Sequence, residues 1–190
     1  MKKLTLDEIK HAFSIMGEFL RDKKTVGEIA VYRGGAMLQF RWRYSTRDVD
    51  AIVVSDGNHG LVQQAADQAA IVLGLERSWL SEAVSHYTST GASSSNLAFS
   101  GLYPETGRPG LRVVVAKPEY LLAMKLAALQ RQTAEDRDFD DARRLATELG
   151  ATSVDDLERA YHAFFPNESL PERAKLRLAE LESAIRTGRP

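Results

Sequence analysis

Apolar side chains recur at helical spacing through Ile9, Phe13, Ile15, Met16, Phe19 and Leu20, and Thr5 stands three residues before Glu8. That pattern predicts a capped helix over about Leu6–Lys23. Ile29-Ala30-Val31-Tyr32 is a short apolar run closed by Gly34-Gly35, and Ala36 to Phe40 resumes with helix formers. The order reads as strand, tight turn, helix. Asp48-Val49-Asp50-Ala51-Ile52-Val53-Val54 is charged at its start and apolar through its middle, a strand closed by Asp56-Gly57-Asn58. Gly60 to Leu73 is alanine-rich and amphipathic, hence helical. Three more strands are expected at Val84–Tyr87, Asn96–Phe99 and Leu111–Val115, joined by the Ser/Thr/Gly-rich stretch from Thr88 to Ser95 and a Pro104–Gly110 loop.

Beyond Pro118 the pattern becomes helical throughout, over Glu119–Leu129, Arg137–Leu149, Asp155–Phe164 and Pro171–Ile185. Gly150 suits a helix C-terminus, Ser153 an N-cap and Pro171 a first-turn position. The expected fold class is α/β in the α+β sense, a mixed sheet with flanking helices over residues 1–117, followed by a C-terminal helical subdomain over 118–190.

With 190 residues, 44% of them hydrophobic and 27% charged, the chain can bury a substantial core. The 25 basic and 26 acidic residues nearly cancel, so any polyanion site must be local. There is no cysteine, which excludes disulfides, zinc thiolates and thiol catalysis. Four scattered histidines lack ligand spacing, leaving carboxylates as the candidate metal donors. Charge arrives too early at the N-terminus for a secretory signal and no apolar run approaches ~20 residues, so a cytoplasmic protein with no membrane association is expected.

Residues two apart on a strand share a face, so Asp48 and Asp50 project together. Two converging carboxylates repel unless a cation joins them, and Mg²⁺ takes one or two carboxylates together with phosphate oxygens and water. The glycine pair ahead of a helix lets backbone N–H groups approach a triphosphate, with Arg33 and Arg47 flanking the two elements. A glycine pair alone is commonly a turn, and Asp-x-Asp alone a solvated strand edge. Their succession within twenty residues is the more specific signal.

Tyr32-Arg33-Gly34-Gly35-Ala36 followed by Thr46-Arg47-Asp48-Val49-Asp50 resembles the signature of the nucleotidyltransferase superfamily. It looks like the AbiEii/MenT-like branch, found as toxins of bacterial toxin–antitoxin pairs, and like a related bacterial nucleotidyltransferase-fold family of undefined function. Glu119 to Ala128 followed by Arg137-Asp138 and Asp141 is similar to the segment both families carry after the core; Arg77 to Ser81, with Trp79-Leu80, is similar to the second only. The resemblance spans roughly Val31 to Leu149. It implies that Asp48 and Asp50 hold Mg²⁺ or Mn²⁺, and that Gly34 and Gly35 contact the triphosphate. Lys125 would reach phosphate, with Asp138 and Asp141 completing the site. From the residues alone, Lys125 interrupts an apolar run and needs a counter-charge, or else snorkels to solvent. Asp138 and Asp141, three apart on a helix, share a face. One departure is evident: the strands Leu111–Val115 and Asn96–Ser100 lack the third carboxylate that many catalytic members carry, so either it comes from elsewhere, with Asp138 or Asp141 as candidates, or one-metal chemistry suffices, or activity is weak.

Arg41, Arg43 and Arg47, interleaved with Trp42 and Tyr44, form the densest basic and aromatic cluster in the chain. An RNA-binding reading puts phosphates on the arginines and unstacked bases on the rings; the alternative is an ordinary surface helix end. The expected function is transfer of a nucleotidyl group from an NTP, ATP included, to an acceptor, with tRNA first among candidates and an antitoxin as a partner protein. No DNA specificity is evident. Thr46 is a modification target by the toxin resemblance, or a plain strand-edge threonine. Two alternatives stay open: an inactive nucleotidyltransferase-fold binding module, and an enzyme that nucleotidylates a protein.

Overall fold

The structure, a computed structural model, describes residues 3–54, 57–82, 94–131 and 136–188. The expected strand Val84–Tyr87, most of the Thr88–Ser95 stretch and Asp56 lie outside the described residues. The chain divides into two compact units, Met1–His86 with Leu97–Ala116, and Tyr87–Asn96 with Lys117–Pro190.

The first unit opens with α1, Leu6–Asp22, started by a capping box in which Thr5 and Glu8 satisfy one another's backbone N–H groups. Strand β1 is Gly27–Val31, helix α2 Arg33–Gln39, strand β2 Val49–Val53 and helix α3 His59–Leu73. A single turn at Arg77–Trp79 leads into β3, Leu80–Ser81. Strands β4, Leu97–Tyr103, and β5, Leu111–Ala116, complete the sheet. The order is β3-β2-β1-β5-β4. β1 runs parallel to β5 and antiparallel to β2, β3 is parallel to β2, and β4 is antiparallel to β5, so the sheet is mixed.

Alternate residues of the central strands, Ile29 and Val31, Val49 and Ala51, Leu111 and Val113, join one core with Phe13, Met16 and Leu20 of α1 and Val62, Ala65, Ala66 and Ala69 of α3. The alanines keep α3 narrow, which lets α1 pack closely along it. Glycines do the same at the sheet: a Cβ on Gly17 would fall 2.1 Å from the Tyr103 carbonyl oxygen, and one on Gly110 2.0 Å from that of Gly17. Trp79 is fully buried, and its indole N–H donates to the Ala66 carbonyl at 3.0 Å. That bond anchors the turn that delivers β3 to the edge of β2.

The second unit holds α4, Pro118–Ala128, α5, Arg137–Leu149, α6, Val154–His162, and α7, Glu172–Thr187. Pro118 occupies the first turn of α4. Gly150 ends α5 with a left-handed φ of 72°, and Ser153 caps α6 in a box with Asp156. Pro171 stands at the cap position of α7 rather than inside its first turn. Tyr120, Leu121, Leu126, Leu145, Leu157, Leu178 and Leu181 are buried, and Tyr161 stacks on Phe165 at 4.9 Å. Among the described residues, no helix is long and apolar enough to cross a membrane.

Candidate functional site

In the first unit, Asp48, Asp50, Gly34, Gly35, Arg33, Arg43 and Thr46 gather where β1 passes into α2 and β2 begins. The Tyr32 N–H donates to the Asp50 carbonyl at 2.8 Å, tying the start of α2 to β2. Asp50 is the second residue of β2 and pairs in register with Ser81 of β3. Its carboxylate is buried, and Arg33 Nη1 lies 3.5 Å from Oδ1. Asp48 comes one residue before the strand and is half-buried, so the strand starts later than its sequence pattern implies.

The glycine pair is not the turn. Gly34 and Gly35 lie inside the first turn of α2, and the left-handed backbone falls on Arg33, at φ 47°. A non-glycine residue there is strained. What the glycines provide is closeness. A Cβ on Gly35 would lie 2.9 Å from Val31 Cγ1 and 3.2 Å from Val49 Cγ1. One on Gly34 would lie 2.7 Å from Thr46 Oγ1 and 3.3 Å from Arg43 Nη1. Helix α2 therefore presses directly onto β2 and the segment before it, which accounts for both glycines from packing alone.

Thr46 is buried, and its hydroxyl donates to the Asp48 carbonyl at 2.9 Å. Its backbone exchanges hydrogen bonds with Leu4, at 2.6 and 2.9 Å. The side chain thus fixes the backbone of Asp48, and its hydroxyl is not offered to solvent. In the loop before it, Arg41 and Arg47 are exposed, Arg43 folds back toward Gly34, and Trp42 packs on Phe40 with ring centroids 4.9 Å apart. Tyr44 is 95% exposed.

Lys125, Asp138 and Asp141 come together within the second unit. Lys125 is buried, and its Nζ lies 2.8 Å from Asp138 Oδ1 and 2.6 Å from Asp141 Oδ2. The snorkelling alternative is excluded by that burial: α4 places the ammonium against the one face of α5 that carries both carboxylates. Arg131 lies 3.9 Å from Asp138. The same unit holds a cleft of about 580 Å³ lined by Leu129, Gln130, Asp136, Arg173, Leu176, Arg177 and Glu180. Arg177 there makes a bidentate bond with Asp136, and its guanidinium lies over the Phe139 ring at 4.7 Å. That bond raises the Arg177 pKa further, so it stays a fixed cation.

No protein-family model, curated protein or solved structure matches the chain.

Among the described residues, no group of three or more histidines and carboxylates is arranged to hold a metal ion. Asp48 and Asp50 are the two carboxylates at the first site. That set fits a hard cation such as Mg²⁺, which accepts one or two carboxylates and completes its shell with phosphate oxygens and water. The sequence reads Arg43 as part of an RNA-binding cluster and Ser81 as the end of the Arg77–Ser81 stretch; it does not show that Arg43 turns back to Gly34 or that Ser81 pairs in register with Asp50. A two-residue strand is too short to read by periodicity, and the return of Arg43 is set by tertiary packing.

Proposed function

We propose that this chain is a nucleotidyltransferase dependent on Mg²⁺ or Mn²⁺, which moves a nucleotidyl group from an NTP to an RNA acceptor, with a tRNA 3′ end the first candidate. A bacterial toxin with a cognate antitoxin protein is the setting the sequence resemblance suggests. The observation that carries the reading is the buried carboxylate of Asp50, with Asp48 just ahead of it, packed against the first turn of α2. Two arginines lie beside that junction, Arg33 at Asp50 and Arg43 at Gly34.

In the proposed reaction, an acceptor hydroxyl attacks the α-phosphorus of the NTP, the bond to the bridging oxygen breaks and pyrophosphate leaves. Asp48 and Asp50 would hold the metal, which when bound supplies Lewis-acid stabilisation of charge on phosphate. Arg33 and Arg43 would neutralise the β- and γ-phosphates, and Asp50 would assist removal of the hydroxyl proton. Thr46 keeps Asp48 in place through its carbonyl. Lys125, Asp138 and Asp141 enter this reading by the sequence resemblance alone.

A second reading, an inactive binding module, is favoured by the absence of a third carboxylate beside Asp48 and Asp50 among the described residues. The deciding assay incubates the purified protein with each NTP radiolabelled at the α-phosphorus, Mg²⁺ and total tRNA. Asp48→Ala serves as the control. Label on RNA that disappears in the variant supports the proposal. Label on protein moves the acceptor to a protein, and no label in any lane leaves the binding module.

A further inference from the structure

We propose that the Arg41–Arg47 loop is a docking surface for a single-stranded polynucleotide, with Tyr44 as the ring on which a base stacks. The inference rests on the nucleotidyl-transfer reading for identifying that strand as RNA; the surface chemistry stands on its own. The loop carries three arginines and no acidic residue between Phe40 and Asp48. Tyr44, at its centre, is 95% exposed, whereas the neighbouring Trp42 is already packed on Phe40. A large ring held almost wholly in water gains by covering one face with another flat, apolar surface. An unstacked base supplies that face while its phosphates meet the flanking charges.

The loop also has a direction. Arg41 and Arg47 are exposed at its two ends, while Arg43 turns inward to Gly34, beside Thr46 and the start of β2. A strand lying on Tyr44 with its phosphates on Arg41 and Arg47 would run along the loop that leads directly into Asp48. Because Leu4 and Thr46 exchange two backbone hydrogen bonds, the inner end of the loop is fixed to the sheet unit. A duplex offers no such face, because its bases are already stacked, so preference for single strands is the signature of this arrangement.

The test is fluorescence anisotropy on the full chain without NTP or metal, using end-labelled mixed-sequence RNA about 12 nucleotides long. A single-stranded DNA of the same sequence and the corresponding RNA duplex are run beside it. The expected result is tighter binding of single strands than of duplex, with Tyr44→Ala weakening it by about five- to hundredfold and Tyr44→Phe retaining it. Arg41→Ala and Arg47→Ala should each reduce the slope of log affinity against log salt by about 0.7. Comparable RNA and DNA affinity supports the surface as a general single-strand site; preference for RNA adds recognition of the sugar. Equal affinity for duplex, or unchanged binding in Tyr44→Ala, overturns the proposal. If binding behaves as expected while the radiolabel assay shows no transfer, the surface stands and the enzymatic reading falls.

Discussion

The left-handed φ of 47° at Arg33 is a cost of about 1–2 kcal/mol that only its surroundings can offset, and its guanidinium reaches buried Asp50 at 3.5 Å. On the nucleotidyl-transfer reading this cation competes with a divalent metal for the same carboxylate. Removing it should tighten Mn²⁺ binding about tenfold in Arg33→Ala, measured by electron paramagnetic resonance titration without nucleotide. Arg33→Gly should give the same gain in metal affinity and a protein more stable than Arg33→Ala, since glycine adopts this backbone freely. Metal affinity that stays level or falls in both variants would remove the competition argument. Residue type does not reveal such a conflict, because sequence spacing carries no record of which residue of Tyr32-Arg33-Gly34-Gly35 takes the positive φ. Asp48 and Asp50 were legible, since Asp-x-Asp ahead of an apolar run is a sequence pattern. A second residue-scale expectation concerns Tyr103, whose phenol is pushed up to about 12 from 10.0 by burial first and by Glu105 second. The raised value means the folded state holds the proton longer than the unfolded chain does. Its stabilising effect is therefore complete below pH 10 and lost as pH rises toward about 12. Urea melts of wild type should weaken by roughly 2–3 kcal/mol more than those of Tyr103→Phe across that window.

Elements with local signals were readable and those set by packing were not. Thr5 with Glu8, Ser153 and Gly150 mark helix ends through short-range hydrogen bonds and backbone freedom, and the structure uses all of them. A glycine pair after an apolar strand reads as a turn because that is its commonest use, yet in the structure both lie inside α2 and let it press onto β2. Gly35→Ala should accordingly cost about 1–3 kcal/mol by urea denaturation, since Val31 and Val49 both have to give way. Gly34→Ala meets the Thr46 hydroxyl instead, so its effect should be coupled to Thr46. In a double-mutant cycle, Gly34→Ala with Thr46→Ala should lose less stability than the two single losses combined, because the second truncation opens the space the first fills. Additive losses would show that the clash is relieved elsewhere. Strand β3, two residues long, had no periodicity to read; its place depends on Trp79 reaching Ala66.

At the scale of the whole molecule, the change of pattern at Pro118 was legible because a proline in the first turn follows an apolar strand, and the two units part at Ala116 and Lys117. The grouping of Asn96 with the helical unit, where its carbonyl accepts from the Lys117 N–H, was not legible, since contact across sequence distance leaves no mark in composition. The helical unit poses its own question, because Lys125, Asp138 and Asp141 are explained equally by stability and by chemistry. Lys125→Met leaves two carboxylates facing one another without their shared cation, and should destabilise the protein by about 3–5 kcal/mol in chemical melts. Hydrogen exchange should rise first in α4 and α5, where the group is anchored. Adding Asp138→Asn and Asp141→Leu removes the carboxylate charge that Lys125 had balanced and should recover most of that loss, since a buried ion cluster replaced by neutral groups of similar size is close to neutral. The two roles then separate. A triple variant that is stable and still transfers label to RNA assigns the cluster to folding alone, whereas one that is stable and inactive assigns it to the reaction.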